Sequence, residues 1–271
     1  MPRHTITGFS NPTVKAIRAL RDKKRRKAQG RFLAEGLRLL TDARECGRLP
    51  ETLVLAIGRD EHPLLATLEN AVEEAGGTVI ETTPDILSKV TGKSNPQAVA
   101  GVFAEWDTGL AALDRHAAPL WLVAQSLRDP GNIGTMLRTC DAVGAGGLVL
   151  LDDHADPFSV EAVRASMGAV FTVGLAQARW EDFLPWLRGP DGQAPGQLVA
   201  ASLREAVPYR NAPYAAPCFL LVGNESQGLP ESYENECDLR VRLPMKGRAD
   251  SLNAAVAGAV LAYEALAALD N

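Results

Sequence analysis

The chain has 271 residues, enough for one large domain or two of ordinary size, and 46% of them are apolar, which suits a soluble globular protein. Its net charge of −5 argues on its face against a nucleic-acid partner, yet residues 11–31 hold nine basic side chains against one acid, leaving −13 on the rest. Four scattered cysteines without a C-x-x-C pair read as reduced thiols of a cytoplasmic protein, four isolated histidines give no metal-ligand spacing, and no apolar run is long enough to span a membrane.

Taken in chain order, Met1-Pro2-Arg3-His4-Thr5 has no apolar core after its charge, so no secretory signal is expected. Asn11 to Cys46 reads as two helices broken at Gly30, the second with an apolar stripe of Phe32, Leu33, Leu37, Leu39 and Leu40. Strands follow at Leu53–Ile57, Thr78–Ile80 and Ala98–Ala104, with helices at Pro63–Ala75 and Pro84–Val90. This predicts a small α/β domain over 1–106, then a linker over 107–119. From Leu120 the alternation restarts, with strands at Leu120–Gln125, Gly147–Leu151, Val170–Leu175, Leu198–Ser202, Cys218–Gly223 and Leu239–Leu243. Helices fit at Asn132–Val143, Phe158–Met167, Trp180–Trp186 and Leu252–Leu269. Continuous apolar strands between helices imply a parallel sheet covered on both faces, over 120–271. The Gly/Pro-rich stretch from Arg188 to Gln197 reads as a mobile surface loop.

Three segments of this second half place polar or Gly/Pro-rich residues just after an apolar run, where α/β proteins build sites. The first is Leu127-Arg128-Asp129-Pro130-Gly131-Asn132-Ile133-Gly134-Thr135-Met136-Leu137-Arg138-Thr139. Asp129-Pro130-Gly131 reads as a turn and Asn132 as a helix start. Ile133, Met136, Leu137, Cys140 and Val143 share one helical face, which leaves Arg138 on another. A helix cap plus a solvated arginine explains the pattern as well as a substrate contact does. The second segment, Leu221-Val222-Gly223-Asn224-Glu225-Ser226-Gln227-Gly228-Leu229, ends a strand in a glycine that lets a ligand approach the backbone; an ordinary strand-to-helix turn looks the same. In the third, Val241-Arg242-Leu243-Pro244-Met245-Lys246-Gly247-Arg248-Ala249-Asp250-Ser251-Leu252-Asn253, Asp250 or Ser251 caps the Ala-rich C-terminal helix. Within that helix Ala257, Gly258, Ala259 and Leu261 permit close packing, internally or between subunits.

In order and content these segments resemble the three motifs of the SpoU (TrmH-like) RNA ribose 2′-O-methyltransferases of the SPOUT superfamily. Ser226 stands where relatives often carry glycine. The resemblance implies that Asn132, Arg138, Glu225, Ser251 and Asn253 are active-site residues. It further implies that Gly223, Leu243, Met245 and Leu252 contact S-adenosylmethionine, the methyl donor, with no metal. Arg164-Ala165-Ser166-Met167-Gly168-Ala169 also resembles a family segment, structural in character, with Arg164 a weaker candidate for substrate contact. Asn11-Pro12, the basic run and Phe32-Leu33-Ala34-Glu35-Gly36 are similar to the RNA-binding domain that precedes many SpoU catalytic domains. Lys15, Arg18, Lys23, Lys24, Arg25, Arg26, Lys27 and Arg31 then become RNA contacts, to phosphates more than to bases because no aromatic residue interrupts the run. A solvated charged helix accounts for the same charges.

The resemblance implies an α/β architecture: a small RNA-binding domain, then a SPOUT domain with a parallel sheet and a trefoil knot, contrary to the usual avoidance of knots. It also implies a homodimer. A ribose hydroxyl is a poor nucleophile until it loses its proton. The family proposal makes Arg138 the base, which is awkward for a guanidinium of pKa above ~12; the alternative has Arg138 hold a phosphate while the proton leaves to Glu225 or water. The extended N-terminal region leans towards ribosomal RNA, from the large subunit, over transfer RNA. A Rossmann-type enzyme lacks its G-x-G-x-x-G here. A binding-only relative would have lost Asn132, Arg138, Glu225 or Asn253. Base methylation by another SPOUT branch stays open.

Overall fold

The computed structural model describes residues 3–189, 195–224 and 226–270. They form two compact units, the first of Met1–Trp106 with Asp156–Thr172, the second of Asp107–Ala155 with Val173–Asn271. No helix among the described residues is long and apolar enough to cross a membrane.

The first unit begins with β1 (His4–Ile6), α1 (Pro12–Ala19), α2 (Lys23–Gln29), β2 (Arg31–Glu35) and α3 (Leu37–Glu45). It continues through β3 (Thr52–Ala56), α4 (Pro63–Glu74), β4 (Thr78–Thr82), α5 (Pro84–Thr91) and β5 (Val99–Ala104). Local chemistry sets the helix ends. Asn11 accepts from Thr13 N ahead of Pro12, Asp22 caps α2 through Arg25 N, and Gly30 closes α2 at φ 59°. The five strands lie in the order β1-β4-β3-β5-β2, parallel except where β5 runs against β3 and β2.

The helix expected across Phe32 and Leu33 is a strand instead. Phe32 pairs with Phe103 and Leu33 with Val102, and the helix starts only after Gly36, at φ 113°. The apolar spacing is helical by accident: Phe32 and Leu33 point to opposite faces of a covered sheet, and both are buried. The strand β1 was not foreseen.

The second unit opens with a 3₁₀ turn at Leu110–Ala112, then β6 (Leu120–Gln125), α6 (Pro130–Val143) and β7 (Gly147–Leu151). Asp156–Thr172 carries α7 (Val160–Ala165) and α8 (Ala169–Thr172) and belongs to the first unit, although it interrupts the second in sequence. There Phe158 and Phe171 join Phe32, Phe103 and Trp106 in one aromatic cluster, with Phe32 and Phe158 centroids 4.9 Å apart. This explains why Val170–Thr172 is helix where strand was expected. Phe171 is drawn into the cluster, and the strand starts only at Gly174, opposite Gly147.

The chain then forms β8 (Gly174–Ala178), α9 (Trp180–Arg188), β9 (Gln197–Ala201), β10 (Val207–Pro208) and β11 (Cys218–Val222). It ends with α10 (Glu231–Asn235), β12 (Leu239–Arg242) and α11 (Ala254–Leu269). All seven strands are parallel, in the order β10-β12-β9-β11-β6-β7-β8. Every residue of β6, β7 and β11 is buried, as the unbroken apolar runs require. The stretch from Arg188 to Gln197, read as a mobile loop, lies largely outside the described residues.

Of the small residues at 257–259 in α11, Gly258 serves internal packing. Gly258 sits against Met136, Val222 and Leu122, where an added Cβ would meet Met136 Cε at 3.4 Å, and Leu261, Ala262 and Ala265 are buried. The opposite face of the helix exposes Val256, Val260 and Tyr263.

Candidate active site

Parallel strands end together, so the segments that follow β6, β9, β11 and β12 gather at the C-terminal edge of the second sheet. Those after β9, β11 and β12 enclose a cleft of about 480 Å³. Gly223, Leu243, Met245, Ser251 and Leu252 all line it, together with Val222, Leu229, Val241, Ala254 and Ala257. Four residues named from the cofactor resemblance and one from the catalytic set therefore share one apolar-walled cavity of the size that takes a small organic ligand.

Gly223 is required for a reason beyond ligand access. A Cβ there would lie 2.5 Å from the carbonyl carbon of Gly228 and 2.6 Å from Leu229 N. The loop folds back on its own strand end, with Gly228 N donating to Asn224 O at 2.9 Å. Asn224 fixes the loop: its Oδ1 accepts from Ser226 N at 2.9 Å and Gln227 N at 3.2 Å, while Nδ2 donates to Ser126 O at 2.8 Å, beyond β6. Glu225 lies outside the described residues.

The first helix starts earlier than its sequence suggests. Asp129 caps it, accepting from Gly131 N at 2.7 Å, and Pro130 opens it, which puts Asn132 inside the first turn. The five apolar residues named above are buried, as their shared face requires. Asn132 is itself buried, and its Oδ1 accepts from Asn253 Nδ2 at 3.0 Å. Asn253 also caps α11, its Oδ1 accepting from Ala255 N at 3.0 Å and Val256 N at 3.3 Å. The cap is thus Asn253, not the expected Asp250 or Ser251, because the helix begins only at Ala254. The contact joins the first and third motifs across 121 residues of sequence. Arg138 lies further along α6, exposed, with no ion pair to the described residues.

Sequence reasoning missed Ser202 and Glu234 in the same cleft. Ser202 Oγ donates to Glu234 Oε1, and the carboxylate is buried. The only local signal was the position of Ser202 at the end of an apolar strand. Burial pushes the Cys140 thiol up and the Cys218 thiol to about 12, which leaves both as protonated packing groups.

In the first unit, Lys15, Arg18, Lys23, Lys24, Arg25 and Lys27 are exposed on α1 and α2. Arg26 departs from the expected phosphate-binding role. It is 3% exposed, its Nη2 lies 2.7 Å from Asp156 Oδ2, and its Nη1 donates to Leu20 O and Arg21 O. Its donors are spent inside the fold. Arg31 is half-exposed and pairs with Glu51 at 2.6 Å.

Comparison with known proteins gives the family. The SpoU rRNA methylase family matches residues 119–263, and the MRM3-like substrate-binding domain matches residues 11–101. The chain belongs to the SpoU rRNA methylase family. It is 31% identical to the 23S rRNA (guanosine(2553)-2′-O)-methyltransferase RlmP of Bacillus subtilis, over 95% of this chain and 97% of that one. The AdoMet-bound rRNA methyltransferase of Sinorhizobium meliloti is 39% identical and superimposes with a TM-score of 0.89, covering 97% of both chains. AviRb of Streptomyces viridochromogenes, solved in complex with AdoMet, is 28% identical with a TM-score of 0.85, over 95% of this chain and 98% of that one.

Proposed function

We propose that this protein transfers a methyl group from S-adenosylmethionine to a ribose 2′-hydroxyl of ribosomal RNA, in the large subunit. The observation that carries the reading is the meeting of the second and third segments in one cleft, with the first fastened to the third by the Asn253–Asn132 bond. The names of the relatives give the ribosomal target its support. The cleft fits the cofactor: its walls are apolar, and Gly223 keeps the strand end free of a side chain. Leu243, Met245 and Leu252 would hold the adenosyl and methionyl parts, and Ser202 and Glu234 form a polar end. When bound, the cofactor supplies a methyl group made electrophilic by its sulfonium.

The chain's own residues then have distinct tasks. Asn253 and Asn132 fix each other and the starts of two helices, so the groups around the cleft are set before RNA arrives. Arg138, exposed and cationic, holds the phosphate beside the target ribose, since a guanidinium keeps its proton. Glu225 keeps the organising role that the resemblance gives it, and the hydroxyl proton leaves to it or to water. Ser251 lies on the cleft wall.

Residues 1–106 are read as the RNA substrate-binding domain, 107–119 as a linker and 120–271 as the methyltransferase domain. A trefoil-knotted C-terminus belongs to the same reading. Its support is that β12 lies across β9 from β11, yet α11 returns to pack on β11, β6 and α6. A homodimer is supported by the exposed apolar face of α11, and a cytoplasmic setting by four free cysteines.

The test is methyl transfer from labelled S-adenosylmethionine to unmodified ribosomal and transfer RNA, followed by alkaline hydrolysis. Label in alkali-resistant dinucleotides of ribosomal RNA is the expected result. The same label in transfer RNA moves the target, and label on a base discards the ribose chemistry. Cofactor binding without transfer to naked RNA or to ribosomal subunits leaves a binding-only relative.

A further inference from the structure

Two sequence segments outside the three motifs meet at one buried carboxylate. Phe32-Leu33-Ala34-Glu35-Gly36 ends β2, and Arg164-Ala165-Ser166-Met167-Gly168-Ala169 follows far along the chain, yet both lie in the first unit. Glu35 has a side-chain exposure of 3%. Its Oε1 accepts from Gln97 N at 2.7 Å. Its Oε2 lies 3.0 Å from Lys93 Nζ and 3.6 Å from Arg164 Nη2. One carboxylate thus faces two cations, so the cluster keeps a surplus positive charge.

The cations are not buried with their partner. Lys93 is 28% exposed and Arg164 45%. Oε2 is held through these two cations and by no backbone donor, so Glu35 spends this oxygen on setting where Lys93 and Arg164 lie. Lys93 also opens an exposed polar loop with Ser94 and Asn95, between the αL glycine that ends α5, Gly92, and the Gln97 tether. The arrangement resembles an anchor with two outward prongs. A phosphodiester matches it, because its anionic oxygens accept from a guanidinium fork and an ammonium together.

We infer that Glu35 is a positioning residue that holds Lys93 and Arg164 as a two-cation clamp on a backbone phosphate of the substrate RNA. The inference rests on the proposed RNA methyltransferase activity and adds a contact outside the three motifs and the basic run. The clamp reads no base, so it sets register and not sequence preference.

The experiment is fluorescence anisotropy of a labelled large-subunit rRNA transcript titrated with the full-length chain at several salt concentrations. Wild type, Arg164→Ala, Lys93→Ala, Glu35→Gln and the Glu35→Gln/Arg164→Ala double variant are compared. Each loss of a cation is expected to weaken binding on the order of 10-fold and to lower the slope of log affinity against log salt by about 1. Affinity for S-adenosylmethionine, read by calorimetry, stays unchanged. Removing Arg164 costs less in the Glu35→Gln background than in wild type, which is the coupling that positioning demands. In turnover, KM for RNA rises and kcat holds. A lowered melting temperature with an unchanged salt slope in Arg164→Ala and Lys93→Ala would make the cluster structural and overturn the inference. If Glu35→Gln does not fold, the two single cation variants decide alone. Wild type that binds no RNA fails the methyltransferase reading instead, a result distinct from equal binding by wild type and variants.

Discussion

Asn253 serves two neighbours at once: its Oδ1 caps α11 and its Nδ2 holds Asn132. Two substitutions separate these roles. Asn253→Ala removes both and is expected to cost ~1 kcal/mol for the cap, lowering the melting temperature by a few degrees, and to lose methyl transfer. Asn253→Asp keeps the cap, because Asp and Asn cap equally well, but cannot donate to Asn132 when ionised. It should melt near wild type and still lose at least ~10-fold in kcat, a cost of about 1.4 kcal/mol in the barrier. Equal activity in Asn253→Asp and wild type would reduce the contact to a helix cap. Melting curves and single-turnover methylation read the two effects separately.

The basic run divides at the level of the helix. On α2, Lys24 and Lys27 are exposed while Arg26 is buried against Asp156. Arg26→Leu strands a buried carboxylate and is expected to cost ~3–5 kcal/mol, whereas Lys24→Ala leaves stability within ~0.5 kcal/mol. Urea unfolding measures both, and a mild Arg26→Leu would refute the buried pair. Sequence alone could not make this division, because the partner of Arg26 lies 130 residues away. Separation along the chain also hid β2, whose antiparallel partner β5 is fixed only by the tertiary fold. By contrast, β6 and β7 were legible residue for residue, since apolar runs of five or six residues bounded by turns are too short for a buried helix. In the site, Gly223, Leu243, Met245 and Leu252 were reached through the family resemblance, and the sheet edge brings them to one cleft. Ser202 and Glu234 carried no motif. Their meeting depends on a hydrogen bond between a strand end and a short helix, which no local pattern encodes.

For the molecule as a whole, the exposed apolar face of α11 bears on assembly. Val256 is 47% exposed, Val260 37% and Tyr263 56%, on the side of the helix away from its internal packing. Val260→Glu places a charge in that face and is expected to yield folded monomers with an unchanged circular dichroism spectrum; sedimentation at matched concentrations checks it. An unchanged dimer would move the interface elsewhere, and a monomeric wild type would remove it. The membership of Asp156–Thr172 in the first unit has a consequence during synthesis. When only the first 106 residues have left the ribosome, Phe32 and Phe103 lack Phe158 and Phe171, and Arg26 has no carboxylate to meet. The N-terminal unit therefore does not finish folding before its successor begins. It waits, partly open, until β6, α6 and β7 have been made, so the order of birth along the chain is not the order of completion.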